Sequence, residues 1–287
     1  MRPVALVPLA ALLLGCRERI APPVLGGTAR SADSVEIRYD ARGSGSPVIM
    51  LIPGWTNPRQ IWGEHAETLA RDHRVIAIDL AGHGESGTNR TTWSVKSFAE
   101  DVVAVADREQ VDRVVLAGFS MGGAVALEAA RRAGERAAGI VFVDTFQDPD
   151  LVMPSEQVEG VIAQFRAAWG DTAFLRAFAY TPETPDSILR WMASFMPAEL
   201  GEHQFDIFRE QQRWMVEGRE EALRGVTVPV AAINSTREPT KVEALRRYFP
   251  GFTVDTIDGV GHAGILHERV ARFDSLMLAL VDRFIER

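Results

Sequence analysis

The run Val114-Val115-Leu116-Ala117-Gly118-Phe119-Ser120-Met121-Gly122-Gly123 constrains this chain more than any other stretch. A β-branched apolar segment leads into a serine bracketed by glycines, and an Ala-rich segment with helical spacing follows. That order reads as strand, tight turn, helix. A serine on so sharp a turn projects its Oγ above the sheet. Side chains two positions either side of it would strike the adjoining strand and helix, and Gly118 and Gly122 have none. Gly123 and Ala124 let the helix lie close. Its first N–H groups then point at the serine, where they favour developing negative charge. G-x-S-x-G alone recurs by chance, and a capping serine in an ordinary β–α turn is the other reading. The strand before it and the helix after it make the motif informative.

The rest of the chain repeats the alternation. Residues 34–39 alternate like a half-exposed strand, and residues 48–52 form a continuous apolar run ending at Pro53-Gly54. Further buried strands are predicted over 75–78, 114–117, 140–143, 228–233 and 253–257. Helices are predicted over 59–71, 95–109, 121–133 and 268–284. Strands alternating with helices imply an α/β fold with a mostly parallel sheet covered on both faces. The alternation stops between residues 145 and 225. There the patterns are helical only, rich in Phe, Trp and Met and punctuated by prolines, which predicts an inserted helical cap over a core of residues 34–144 and 226–287.

Four segments together resemble the α/β-hydrolase fold, in its esterase, perhydrolase and C–C-hydrolase grouping, over residues 34–287. Pro53-Gly54-Trp55 follows a buried strand where that family often has His-Gly. Asp79-Leu80-Ala81-Gly82-His83-Gly84-Glu85-Ser86 matches its D-x-x-G-x-G-x-S turn. The serine turn comes third, and Gly259-Val260-Gly261-His262 matches its late G-x-G-H segment. The resemblance implies Ser120 as nucleophile, His262 as base, and the N–H groups of Trp55 and Met121 as the oxyanion hole. Asp79 is expected to hold the 82–86 turn by hydrogen bonding, and His83 to be structural. His73 is expected at the surface and His267 at the cap of the last helix.

The acid that orients the base is open between two places. Relatives usually carry it after the seventh strand in a G-x-x-D-P-like segment, which here reads Ser235-Thr236-Arg237-Glu238-Pro239. Others carry it after the sixth strand, where this chain has Asp144. Asp258 is a further carboxylate near His262. The implied chemistry is two-step acyl transfer to water through an acyl-enzyme, with a small-molecule acyl substrate and no metal or organic cofactor.

The single cysteine, Cys16, follows an apolar stretch over residues 4–14 that is too short to span a bilayer. Leu13-Leu14-Gly15-Cys16 resembles a bacterial lipobox. The expectation is a signal over residues 1–16, lipidation at Cys16, a tether over 17–33 and an extracytoplasmic, membrane-anchored protein that touches the membrane only through that lipid. A net charge of −8 argues against nucleic acid, and a monomer or weak oligomer is expected. The competing functional reading is a lipid-anchored binding protein on a hydrolase fold without catalysis.

Overall fold

The computed structural model describes residues 21–197 and 199–286. Cys16 and the signal segment lie outside the described residues. Eight strands form one sheet in the order β1-β2-β4-β3-β5-β6-β7-β8. They are β1 (Leu25–Arg30), β2 (Glu36–Arg42), β3 (Val48–Ile52), β4 (Arg74–Ile78), β5 (Val114–Phe119), β6 (Ala137–Val143), β7 (Val230–Ser235) and β8 (Thr253–Ile257). β1 and β2 are antiparallel to their neighbours, and every pairing from β4 to β8 is parallel.

The expected α/β architecture is what folds, because β3, β5 and β6 are apolar at every position. A parallel strand covered on both faces has no solvent side to alternate toward. Ile140 and Phe142 of β6 enter one core, with Phe98, Val102 and Leu127 from helices α2 (Val95–Arg108) and α3 (Met121–Ala133). Val141 and Val143 enter the other, with Leu69, Phe273 and Met277. These come from α1 (Gly63–Leu69) and, after α9 (Val242–Arg246) and α10 (Gly264–His267), from α11 (Val270–Ile285).

The structure departs from the sequence reading at the start. Residues 25–30, expected in a tether, form edge strand β1 and pair with β2 from Leu25↔Ala41 to Arg30↔Glu36. Gly26 and Gly27 concealed the strand, since glycine is a poor strand former. Position 27 has to be bare: a Cβ there would lie 2.1 Å from the Tyr39 ring.

Between β6 and β7 run five helices: α4 (Ser155–Ala168), α5 (Thr172–Ala179), α6 (Asp186–Ala193), α7 (Glu202–Glu217) and α8 (Arg219–Arg224). α4 and α7 share a small apolar core of Val158, Ile162, Phe165, Phe205 and Phe208. Two tryptophans tie α7 to the sheet-bearing part. Trp214 Nε1 donates to buried Glu128 of α3 at 2.9 Å, and Trp55 Nε1 donates to the carbonyl of Gln204 at 2.8 Å. No described helix is long and apolar enough to cross a membrane.

Candidate active site

Four segments leave the C-terminal ends of β3, β5, β6 and β8 and meet where the strand order switches direction around β3, which is where open α/β sheets build their crevice. Ser120 is the turn between β5 and α3. Its backbone sits at φ 52°, ψ −121°, a conformation L-residues rarely adopt, and its N–H is anchored to the Val143 carbonyl at 3.0 Å. The glycines behave as their spacing predicts. A Cβ on Gly118 would lie 2.1 Å from the Gly122 carbonyl oxygen, and one on Gly122 would lie 2.5 Å from that of Ile52.

The loop after β3 lies against this turn, with the place of a Gly54 Cβ only 3.1 Å from Ser120 Cβ. Trp55 and Met121 therefore flank the serine. As the first residue of α3, Met121 has an N–H without an intrahelical acceptor. The Trp55 ring turns away into the helical segment, 4.6 Å from both Phe165 and Phe208.

His262 follows β8 on a turn opened by Gly259 at φ 70°. Phe119 stacks on its ring at 4.8 Å. The turn is clamped from the helical segment: the Ala263 N–H donates to the Ala179 carbonyl at 2.7 Å, and a Cβ on Gly261 would lie 2.5 Å from Tyr180 Cα. His262 Nδ1 is 2.6 Å from Asp144 Oδ2. A carboxylate only accepts, so a neutral imidazole here carries its proton on Nδ1 and presents Nε2 as a base.

Asp144 is itself held firmly. Its Oδ1 accepts from the Ser235 N–H at 2.6 Å and from Gln147 Nε2 at 3.2 Å, and its φ is 46°. The carboxylate paired with His262 is thus the one after β6. Glu238 stands exposed on the loop after β7, at a neighbouring cavity of about 490 Å³ that Asp144 and His262 also border. Among the described residues it makes no hydrogen bond or ion pair. Its neighbour Arg237 donates to the Phe178 carbonyl at 2.9 Å. Asp258 is exposed at the end of β8.

Ser120 and His262 border one cavity of about 260 Å³. Its walls are largely apolar, with Trp55, Phe165, Met192 and Phe208 among them. That volume lies at the small end of ligand pockets.

His83 is buried, bonds through Nδ1 to the Ala81 carbonyl at 3.0 Å, and is pushed down to about 4 by desolvation. The unfolded chain takes up this proton near pH 6.5 and the folded chain only near pH 4, so stability falls as the pH drops through that window. Thermal melts should show a Tm that falls between pH 6.5 and pH 4, less steeply in His83→Asn; equal slopes would remove His83 as a cause. Asp79, as expected, holds the 82–86 turn, accepting from the Glu85 N–H at 2.9 Å and the Arg59 N–H at 2.6 Å.

Two sequence expectations fail. His73 is buried rather than superficial. His267 does not cap α11 but lies in α10, 3.1 Å from the Tyr180 hydroxyl, with burial holding its pKa down at about 3. A pairing that sequence could not show is His65 with Asp274, 2.6 Å apart and buried, joining α1 to α11.

A model of the alpha/beta hydrolase family matches residues 49–274. The candidate carbamate hydrolase RutD of Azorhizobium caulinodans is 30% identical over 161 residues, 55% of this chain and 57% of that protein. Among solved structures, an esterase of Exiguobacterium antarcticum is similar with a TM-score of 0.76 at 20% identity, over 90% of this chain and 100% of its own. At that identity it speaks for the fold alone. Est816, described as an N-acyl homoserine lactone degrading enzyme, has a TM-score of 0.75 at 26% identity over 88% of this chain and 99% of its own. The chain spans less than two thirds of the length of the curated relatives it resembles, 57% for RutD.

Proposed function

Because the chain belongs to the alpha/beta hydrolase family, we propose that it is a serine hydrolase acting on esters or related acyl compounds, with Ser120 as nucleophile, His262 as base and Asp144 as the orienting acid. The observation that carries the reading is the 2.6 Å contact between His262 Nδ1 and Asp144, on an imidazole that borders the same cavity as a strained Ser120.

The steps follow from the groups present. Serine is a weak nucleophile at its ordinary pKa, so Nε2 of His262 takes the Ser120 proton as Oγ attacks the substrate carbonyl carbon. The carbonyl oxygen becomes an oxyanion, stabilised by the N–H groups of Trp55 and Met121 and by the N-terminus of α3. Asp144 stabilises the imidazolium without taking its proton. The C–O bond to the leaving group breaks as His262 returns the proton to it. Water, deprotonated by the same nitrogen, then attacks the acyl carbon, and the C–O bond to Ser120 breaks as His262 returns that proton to Oγ. In this reading the helices from α4 to α8 act as a cap. Trp55, held between Phe165, Phe208 and Gln204, joins that cap to the oxyanion loop.

A fluorophosphonate probe tests the assignment directly. Wild type should be labelled on Ser120 and Ser120→Ala should not. Equal labelling of both, or of neither, would reject the hydrolase reading and favour a binding protein that keeps the fold.

A further inference from the structure

The apolar cavity above Ser120 contains two polar side chains that the proposed mechanism does not use. Gln211 and Gln212 lie on α7 three and four residues after Phe208, so all three share one helix face. That face borders the cavity. Among the described residues neither carboxamide makes a hydrogen bond, and both residues are half-buried. Gln204, one turn earlier on the same helix, behaves differently: its Nε2 donates to the Gly82 carbonyl at 2.6 Å and it is buried. Gln204 holds α7 to the Gly82 turn, whereas Gln211 and Gln212 line the chamber together with Trp55, Phe165, Met192 and Phe208 and have no hydrogen-bond partner among the described residues.

Both residues are half-buried, so water meets their amides in the empty chamber, and a ligand that displaces this water has to replace its hydrogen bonds. A ligand group that bonds the amides avoids that loss on binding. A trans secondary amide points its N–H and its C=O in opposite directions, so two neighbouring carboxamides suit it, one accepting from the N–H and the other donating to the C=O. The chamber is about 260 Å³ and Ser120 borders it as well, so the amide has to lie within a short acyl group of the reacting carbonyl.

We propose that Gln211 and Gln212 determine substrate specificity, selecting an acyl group that is apolar overall and carries a secondary amide a few atoms from the carbonyl that Ser120 attacks. This rests on the serine-hydrolase reading and deepens it. The amide is bound, not cleaved.

The test compares two esters of equal chain length, ethyl N-propionylglycinate and ethyl hexanoate, by acid release. The quantity read is the ratio of their kcat/KM values, in which the concentration of active enzyme cancels. A variant that folds in lower yield therefore still gives a valid answer. Wild type should prefer the amide-bearing ester, and Gln211→Leu combined with Gln212→Leu should lower the ratio about tenfold, as the loss of one or two net hydrogen bonds implies. A ratio unchanged in the double variant overturns the inference, as does a wild-type preference for the hexanoate. Cleavage of neither ester by protein whose Ser120 the fluorophosphonate labels overturns this inference alone. Absence of that labelling overturns the reading beneath it as well.

Discussion

Asp144→Asn should lower kcat on any ester the protein cleaves by roughly 10⁴-fold, while Glu238→Gln should leave it within about twofold. The difference follows from where each carboxylate stands. Asp144 Oδ1 accepts from the Ser235 N–H, so an asparagine at 144 turns its carbonyl oxygen to that donor and its NH₂ toward His262. An NH₂ group donates. His262 Nδ1 must then accept, the ring proton moves to Nε2, and the nitrogen that should take the serine proton already holds one. The shape is kept and the tautomer is wrong. Glu238 meets nothing whose charge or geometry it could set. Steady-state kinetics with melts of each variant would decide, and a larger loss in Glu238→Gln than in Asp144→Asn would overturn the assignment of the acid.

Gly118→Ala should be nearly as damaging, through stability rather than protonation. The added methyl would sit 2.1 Å from the Gly122 oxygen, 2.4 Å from its carbonyl carbon and 2.6 Å from the Gly123 nitrogen. All three are backbone atoms at the start of α3, so no side chain can swing aside. The strand end and the helix have to separate, and the Ser120 turn with them. The expected cost is about 3 kcal/mol in denaturant unfolding, with loss of fluorophosphonate labelling. Gly160→Ala, in the middle of α4 with nothing within 4 Å of the new Cβ, provides the contrast and should stabilise by about 0.5–1 kcal/mol. Similar stability changes in the two variants would mean that the close packing at the turn does not hold it together.

Much of the site was legible because its constraints are local. The 114–123 run shows both periods and the glycines that a sharp turn requires, and α3 begins and ends at Met121 and Ala133 as the spacing predicts. Asp79 was readable in the same way, since its partners are residues of its own turn and the nearby Arg59. Strand β1 was not, because Gly27 owes its identity to the Tyr39 ring across the sheet and not to its own segment. His65 and Asp274, 209 positions apart, carry no local mark of their pairing.

The sequence by itself determined the alternating α/β fold, the serine turn and a histidine after the last strand, because apolar periodicity, glycine placement and turn chemistry act over a few residues. Which of Asp144 and Glu238 pairs with His262 was a tertiary matter. Both follow a strand, and both lie on loops that open toward His262. What separated them was the pairing of β6 beside β7, which carries the Ser235 N–H across to Asp144 Oδ1 and leaves Oδ2 facing a histidine 118 positions away. A hydrogen bond of 2.6 Å depends on where three loops end in space, and no local pattern in the chain encodes that distance.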